Sequence, residues 1–157
     1  VGTLVHEAIR NWRFPDDEFE DFITPFALEA GLTDAGEIRA TIRAVARLLE
    51  HLRAHPLWAE MNAADRYHEV SYITPDDRGI IDLLYRSGDN WVIADFKTDE
   101  LRSDVEVEVA IQREGYDQQI QRYAEAAATQ LGVLPKLLLV FLQAGRDAIQ
   151  PVEIKMP

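Results

Sequence analysis

The 157-residue chain has no cysteine, which excludes disulfides, cysteine-ligated zinc and iron–sulfur clusters from its chemistry. No apolar run approaches the roughly 20 residues that a membrane helix requires. No signal-peptide pattern opens the chain. The expectation is a cytoplasmic protein with no membrane partner. Positive charge is scarce: 16 Lys and Arg stand against 28 Asp and Glu, for a net charge of −12. Because phosphate binding is dominated by Lys and Arg, this balance argues against a general nucleic-acid binder. Two features localise the acidity. The stretch Asp16 to Glu37 holds eight carboxylates and neither Lys nor Arg, and carboxylates that hold a divalent cation no longer act as free negative charge. What remains is ordinary: 47% hydrophobic residues in a length suited to one domain, 1–157, with a sizeable core. The opening Val1-Gly2-Thr3, with apolar patterning under way by Leu4, reads as a piece of a longer polypeptide.

The first two-fifths is helical in pattern. Leu4, Ile9 and Trp12 lie among helix formers up to Phe14-Pro15, and Asp16 and Asp17 are candidate caps for a helix carrying Phe19, Phe22, Ile23 and Phe26. Asp34 then caps a long helix with Ile38, Ile42, Val45, Leu48, Leu49 and Leu52 at helical spacing, and Leu57 to Ala64 is a short helix after Pro56. Past residue 65 the period becomes two. Strands are expected at Tyr67–Ile73, Gly79–Tyr85 and Trp91–Phe96, with turns at 74–77 and 87–90, forming an antiparallel meander. Residues 98–113 are charged and poorly periodic and read as a loop with some helix. Glu114 to Leu131 is a helix stopped by Gly132. Lys136 to Leu142 is an apolar strand covered on both faces, and Ile149 to Ile154, interrupted by Pro151, is an edge strand. The predicted class is α/β: N-terminal helices, then a central mixed sheet built from a three-strand meander, a helix and two further strands.

The chemistry concentrates in Ile80-Ile81-Asp82-Leu83-Leu84-Tyr85 and Trp91-Val92-Ile93-Ala94-Asp95-Phe96-Lys97-Thr98. Each apolar strand carries one acid, and a buried carboxylate is costly unless paired or bound to metal. Asp95 and Lys97 leave the same face of their strand about 6.6 Å apart. In that position an acid can hold a cation while a lysine orients or deprotonates an attacking water, or offsets charge at phosphorus. Asp82 lies five residues before Ser87 and Asp95 five after Asn90, so a symmetric hairpin sets them opposite each other. Facing like charges are destabilising. Their juxtaposition implies a counter-ion, and Mg²⁺ or Mn²⁺ fits oxygen ligands best.

Five ordered motifs carry a resemblance: Gly2-Thr3-Leu4-Val5-His6-Glu7, Glu69, Asp82, Asp95-Phe96-Lys97-Thr98, and Tyr116-Asp117-Gln118-Gln119-Ile120-Gln121-Arg122-Tyr123. Together they resemble the RecB-like nucleases of the PD-(D/E)xK, or restriction-endonuclease-like, superfamily, over residues 2 to about 142. Within that group the chain is most similar to the C-terminal nuclease domain of AddA- or RecB-type helicase–nucleases. The resemblance implies a restriction-endonuclease-like fold and metal-dependent hydrolysis of DNA, in end processing and double-strand-break repair by recombination. It implies that His6, Asp82, Asp95 and the Phe96 backbone carbonyl bind Mg²⁺ or Mn²⁺, and that Lys97 is the catalytic lysine. Gln119 and Tyr123 match a Gln-x-x-x-Tyr motif that lines the site, and Tyr116 shares their helix face. Implied partners are single-stranded DNA ends and a superfamily 1 helicase, in cis or as a subunit. The chain itself lacks a Gly-Lys-Thr or Gly-Lys-Ser phosphate loop.

Other residues remain open between roles. His6-Glu7 is superficially similar to a zinc-protease motif, but Arg10 stands where the second histidine belongs. Glu69 is an auxiliary metal or water ligand, or a salt-bridge partner. Arg39, Arg43 and Arg47 recur every four residues, with Arg10 and Arg13 on the first helix. They are either a track for backbone phosphates or a solvated face paired with Glu37 and Glu50. His51, His55 and His68 read as surface residues.

Overall fold

The computed structural model describes residues 1–144 and 149–157. Four helices come first: α1 (Gly2–Arg10), α2 (Phe19–Glu29), α3 (Ala35–Ala54) and α4 (Pro56–Ala63). The meander follows as β1 (Asp65–Ile73), β2 (Arg78–Ser87) and β3 (Asn90–Lys97). Then come α5 (Asp104–Glu114), α6 (Tyr116–Leu131), β4 (Lys136–Phe141) and β5 (Gln150–Ile154). The five strands lie in sequence order, antiparallel except where β3 runs parallel to β4. This is the α/β layer architecture the patterning predicts, consistent with a restriction-endonuclease-like fold.

The sheet separates two cores. Leu4, Val5, Ala8 and Ile9 of α1 and Ile42, Val45, Leu48, Leu49 and Leu52 of α3 pack on one face, against Leu83, Tyr85, Ala94 and Phe96. On the other face Ile120, Tyr123, Ala124 and Ala127 of α6 and Val107 and Ile111 of α5 cover Ile93, Leu137, Leu139 and Phe141. Strand β4 is buried from Leu137 onward because both layers cover it, which is why it shows no polar alternation. Pro151 falls on β5, whose only strand neighbour among the described residues is β4, an edge position where a missing N–H leaves no ladder bond unmade.

Local differences from the sequence expectations have local causes. Residues 104–114 form a full helix: Ser103 Oγ accepts the Glu106 N–H at 3.2 Å, while the Glu106 carboxylate accepts the Arg102 N–H. This reciprocal capping overrides weak periodicity. Gly115, with φ 67°, separates α5 from α6, so the second helix begins at Tyr116 rather than Glu114. Trp12 lies beyond α1, with φ 51°, its indole donating to Asn62 at 2.9 Å. Asp16 does not cap α2 directly; its carboxylate accepts the Glu18 N–H one residue before the helix. Asp34 caps α3 as expected, accepting the Glu37 N–H at 2.8 Å.

The sheet forks. The β2–β3 ladder runs from Ser87↔Asn90 to Leu83↔Ala94 and stops, whereas β1 and β2 stay paired to Ile73↔Arg78. At the fork Glu69 adopts φ 49°, a strained backbone for a non-glycine residue. Side-chain faces reverse there. His68 and Leu83 lie toward the N-terminal helices, yet Val70 and Ile81, each two residues further into the arm, pack on the α6 side. A regular strand would keep both members of each pair on one face. The free arm of the hairpin thereby turns Tyr72 edge-on against Tyr123 of α6, with centroids 5.7 Å apart.

Gly79 sits opposite Tyr72 in that arm, and a Cβ there would stand 2.7 Å from the phenolic oxygen and 2.9 Å from the ring. Gly79→Ala is expected to destabilise the protein by about 1–2 kcal/mol, read as a lower urea midpoint. An unchanged midpoint would mean that the ring yields freely.

Candidate active site

The site lies in the fork. The hairpin register, continued by one step past Leu83↔Ala94, sets Asp82 opposite Asp95, as the symmetric-turn arithmetic predicts. Asp82 Oδ2 accepts the Phe96 backbone N–H at 3.0 Å, so the carboxylate takes a donor that would otherwise serve the ladder. From α1, His6 Nε2 reaches Asp82 Oδ2 at 3.1 Å and the Phe96 carbonyl at 3.0 Å, while Nδ1 donates to the Gly2 carbonyl at 2.8 Å. One imidazole nitrogen, two carboxylates and one carbonyl therefore converge. Gly2 eases the approach of α1, since a Cβ there would stand in tight contact with Thr98 Oγ1, at 3.1 Å.

Lys97 shares its strand face with Asp95, its Nζ 2.8 Å from Asp95 Oδ2. This is an ion pair without hydrogen-bond geometry: Asp95 Oδ2 is buried and has no hydrogen-bond partner among the described residues. Lys97 is further held by Gln119 Oε1 at 3.0 Å and by the face of Tyr116, 4.0 Å from the ring centroid. Tyr116 is fixed in turn by donating to the Asp99 carboxylate, with oxygens at 3.0 and 3.1 Å. Asp99 is a member of this cluster that the motif reading missed; its position two residues past Lys97 was the available signal.

Electrostatics follow from burial and pairing. Burial, then the Asp82 charge, raises Asp95 to about 7, partly offset by Lys97. Burial also works against ionised Asp82, but the hydrogen bond and charge of His6, with further hydrogen bonds, outweigh it and hold that carboxyl below its usual range. The same Asp82 hydrogen bond raises His6 to about 9 against the opposing effect of its burial. Burial, then the Asp82 charge, raises Glu69, which Arg10 and His6 partly offset. Burial and the charges of Asp95 and Asp82 push the Tyr123 phenol up.

Residues 1–154 match the family model described as the PD-(D/E)XK nuclease superfamily. The chain belongs to that superfamily. No individual curated protein matches it significantly. Members of the PD-(D/E)XK superfamily typically hydrolyse phosphodiester bonds and use divalent metals.

The residues in the fork fit such a metal. A buried carboxylate oxygen with no hydrogen-bond partner is a poor resting state for a protein interior, and an oxygen-rich set with one imidazole suits Mg²⁺ or Mn²⁺. Among the described residues no three His, Asp or Glu side chains form a ready-made metal cluster. His6 Nε2 and Lys97 Nζ lie directly against the carboxylates, 3.1 Å from Asp82 Oδ2 and 2.8 Å from Asp95 Oδ2.

The structure thus brings together His6, Asp82, Asp95, Phe96, Lys97, Gln119 and Tyr116, with Tyr123 and Glu69 at the border. Arg39, Arg43 and Arg47 lie apart, exposed on α3. His51 is exposed, His55 caps α4 through Nδ1, and His68 is half-buried, tilted against Trp12 at 5.6 Å. The surface reading of His68 is corrected: with Arg66 lying over the same indole, it belongs to a packed aromatic corner. Arg13 lies over the Phe22 ring and Arg10 pairs with Glu7, at 3.8 Å. Among the described residues no helix is long and apolar enough to cross a membrane.

Proposed function

We propose that the chain is a Mg²⁺- or Mn²⁺-dependent deoxyribonuclease of RecB-like type, resembling the nuclease domain of AddA- or RecB-type helicase–nucleases. The observation that carries this reading is the convergence of His6 Nε2, Asp82 Oδ2 and the Phe96 carbonyl beside the unsatisfied Asp95 Oδ2. His6, Asp82, Asp95 and the Phe96 carbonyl hold the cation, which supplies Lewis acidity and charge stabilisation at a phosphate. Lys97 is the catalytic lysine. Its ammonium, steered by Gln119 and the Tyr116 ring, orients the attacking water and offsets charge growing on the phosphoryl oxygens. Tyr123 and Tyr72 wall the site from the α6 side, and Glu69 is an auxiliary water or metal ligand at the fork. The substrate is a DNA strand, presented as a single-stranded end by a superfamily 1 helicase in cis or as a subunit. The process served is end processing in recombinational repair, by exonucleolytic cleavage, within a longer polypeptide of which 1–157 is the nuclease domain.

Incubation of the chain with end-labelled single-stranded DNA tests the reading. Cleavage is expected with Mg²⁺ or Mn²⁺ and not with chelator. No cleavage with either ion, together with no Mn²⁺ binding in calorimetry, would favour a catalytically silent nuclease-fold module.

Cation binding must displace the His6 Nε2 proton. A group raised from 6.5 to about 9 is protonated across neutral pH in the folded protein. Mn²⁺ binding is therefore expected to release about one proton near pH 8, more at pH 7 and below as Asp95 also ionises, and less as pH passes through 9. Affinity should rise with pH and level off above about 9. Calorimetry in two buffers of different ionisation enthalpy counts the protons; His6→Ala should remove the release near pH 8.

A further inference from the structure

We propose that the exposed face of α3 is a binding track for the phosphodiester backbone of the nucleic-acid strand that extends beyond the cleavage site. Arg39, Arg43 and Arg47 occupy successive turns of α3, and His51 continues the line on the next turn. All four side chains are exposed. Successive arginines rise about 6 Å along the axis, the order of the separation between neighbouring phosphates of an extended strand. Among the described residues none of the three arginines is in an ion pair, although carboxylates flank them in sequence. Glu50 is taken by Arg53, and Glu37 engages none of them. A solvated face paired with its own acids, the alternative left open by the sequence, is not what forms. In a protein of net charge −12, three uncompensated guanidinium groups in a row are the exception, and their complement is a line of regularly spaced anions.

At Arg47 the line reaches the backbone at the end of β3. Arg47, Leu48 and His51 form one wall of a groove of about 220 Å³ whose other wall is Glu100, Leu101, Leu142 and Gln143. Leu142 donates its N–H to the Lys97 carbonyl and Gln143 its side-chain amide to the Thr98 carbonyl, each at 3.0 Å. The groove therefore borders the same strand end that carries Lys97. Glu100, the carboxylate among the lining residues, repels phosphate from its own wall and keeps the strand on the arginine side.

The assignment rests on the nuclease reading for its substrate class, and binding is measured so that the two stand or fall separately. The probe is a labelled oligothymidylate in chelator, followed by fluorescence anisotropy from low to high salt. Replacing Arg39, Arg43 and Arg47 together with Ala should weaken binding at least tenfold near 0.1 M salt and reduce the slope of log K against log salt by about 2. Replacing all three with Lys should preserve most of the slope, and Glu100→Gln should tighten binding. In cleavage assays the alanine variant should raise KM for the long strand and leave kcat on a dinucleotide ester unchanged. Unchanged affinity and slope in the alanine variant, with its thermal midpoint intact, overturn the track. Asp95→Asn is the control for the other reading: full cleavage by that variant overturns the nuclease site and leaves the anisotropy result untouched.

Discussion

Asp95→Asn is expected to stabilise the metal-free protein while lowering nuclease activity by on the order of 10³-fold or more. The two effects have one source. Asp95 is buried, faces Asp82, and has an oxygen with no hydrogen bond among the described residues, so ionising it strains the folded state. Its folded pKa, about 7, lies above the 3.8 of an ordinary Asp. The stability it contributes is fully present below 3.8 and is lost as pH rises through 7. An amide of the same shape has no such loss. At pH 8 the variant should gain roughly 1–3 kcal/mol, a rise in Tm of about 3–8 °C, and its stability should depend less on pH between 4 and 7. The wild-type protein should gain stability from added Mn²⁺ and the variant should not. Thermal melts with and without Mn²⁺ read all three quantities. A variant that is less stable than wild type without metal would mean that the Lys97 ion pair outweighs burial and repulsion.

Lys97→Ala should separate binding from chemistry. Cleavage is expected to fall by about 10²–10⁴-fold, mostly in kcat, while Mn²⁺ affinity holds or rises because an ammonium no longer lies 2.8 Å from Asp95 Oδ2. Tyr116→Leu, which removes the ring beneath Nζ, should reproduce a smaller part of the kcat loss, and Tyr116→Phe less still, since it keeps the ring and frees it only from Asp99. Steady-state kinetics beside calorimetric Mn²⁺ titration decide the matter. Loss of Mn²⁺ binding in step with activity would assign Lys97 a structural role instead.

What could be read from the sequence was what short-range rules govern. A tight turn at Gly88-Asp89 and equal strand offsets brought Asp82 and Asp95 together, and helical spacing placed the buried face of α3. What escaped depends on three-dimensional partners. The α5 helix has little periodicity because few of its residues are buried, and its Ser103–Glu106 capping pair was the readable sign. The kink at Glu69 leaves no trace in strand alternation, because both strands reverse faces together and the pairing sum stays constant. Asp99 acts through Tyr116, a helix away in the chain, so its position two residues past Lys97 marked it as a neighbour without showing the route by which it acts. Whether α3's arginines would find acids of their own was equally undecidable, since helical spacing allows a pair without requiring one.

The amide of Phe96 has two competing fates. Two further steps of regular antiparallel pairing would set it against Ile81 and zip the two middle strands closed; given to Asp82 instead, it keeps them open. A repair that neutralised Asp82 with an aliphatic side chain would invite the zipper to advance, so selection for rigidity and selection for catalysis pull on a single hydrogen atom in opposite directions.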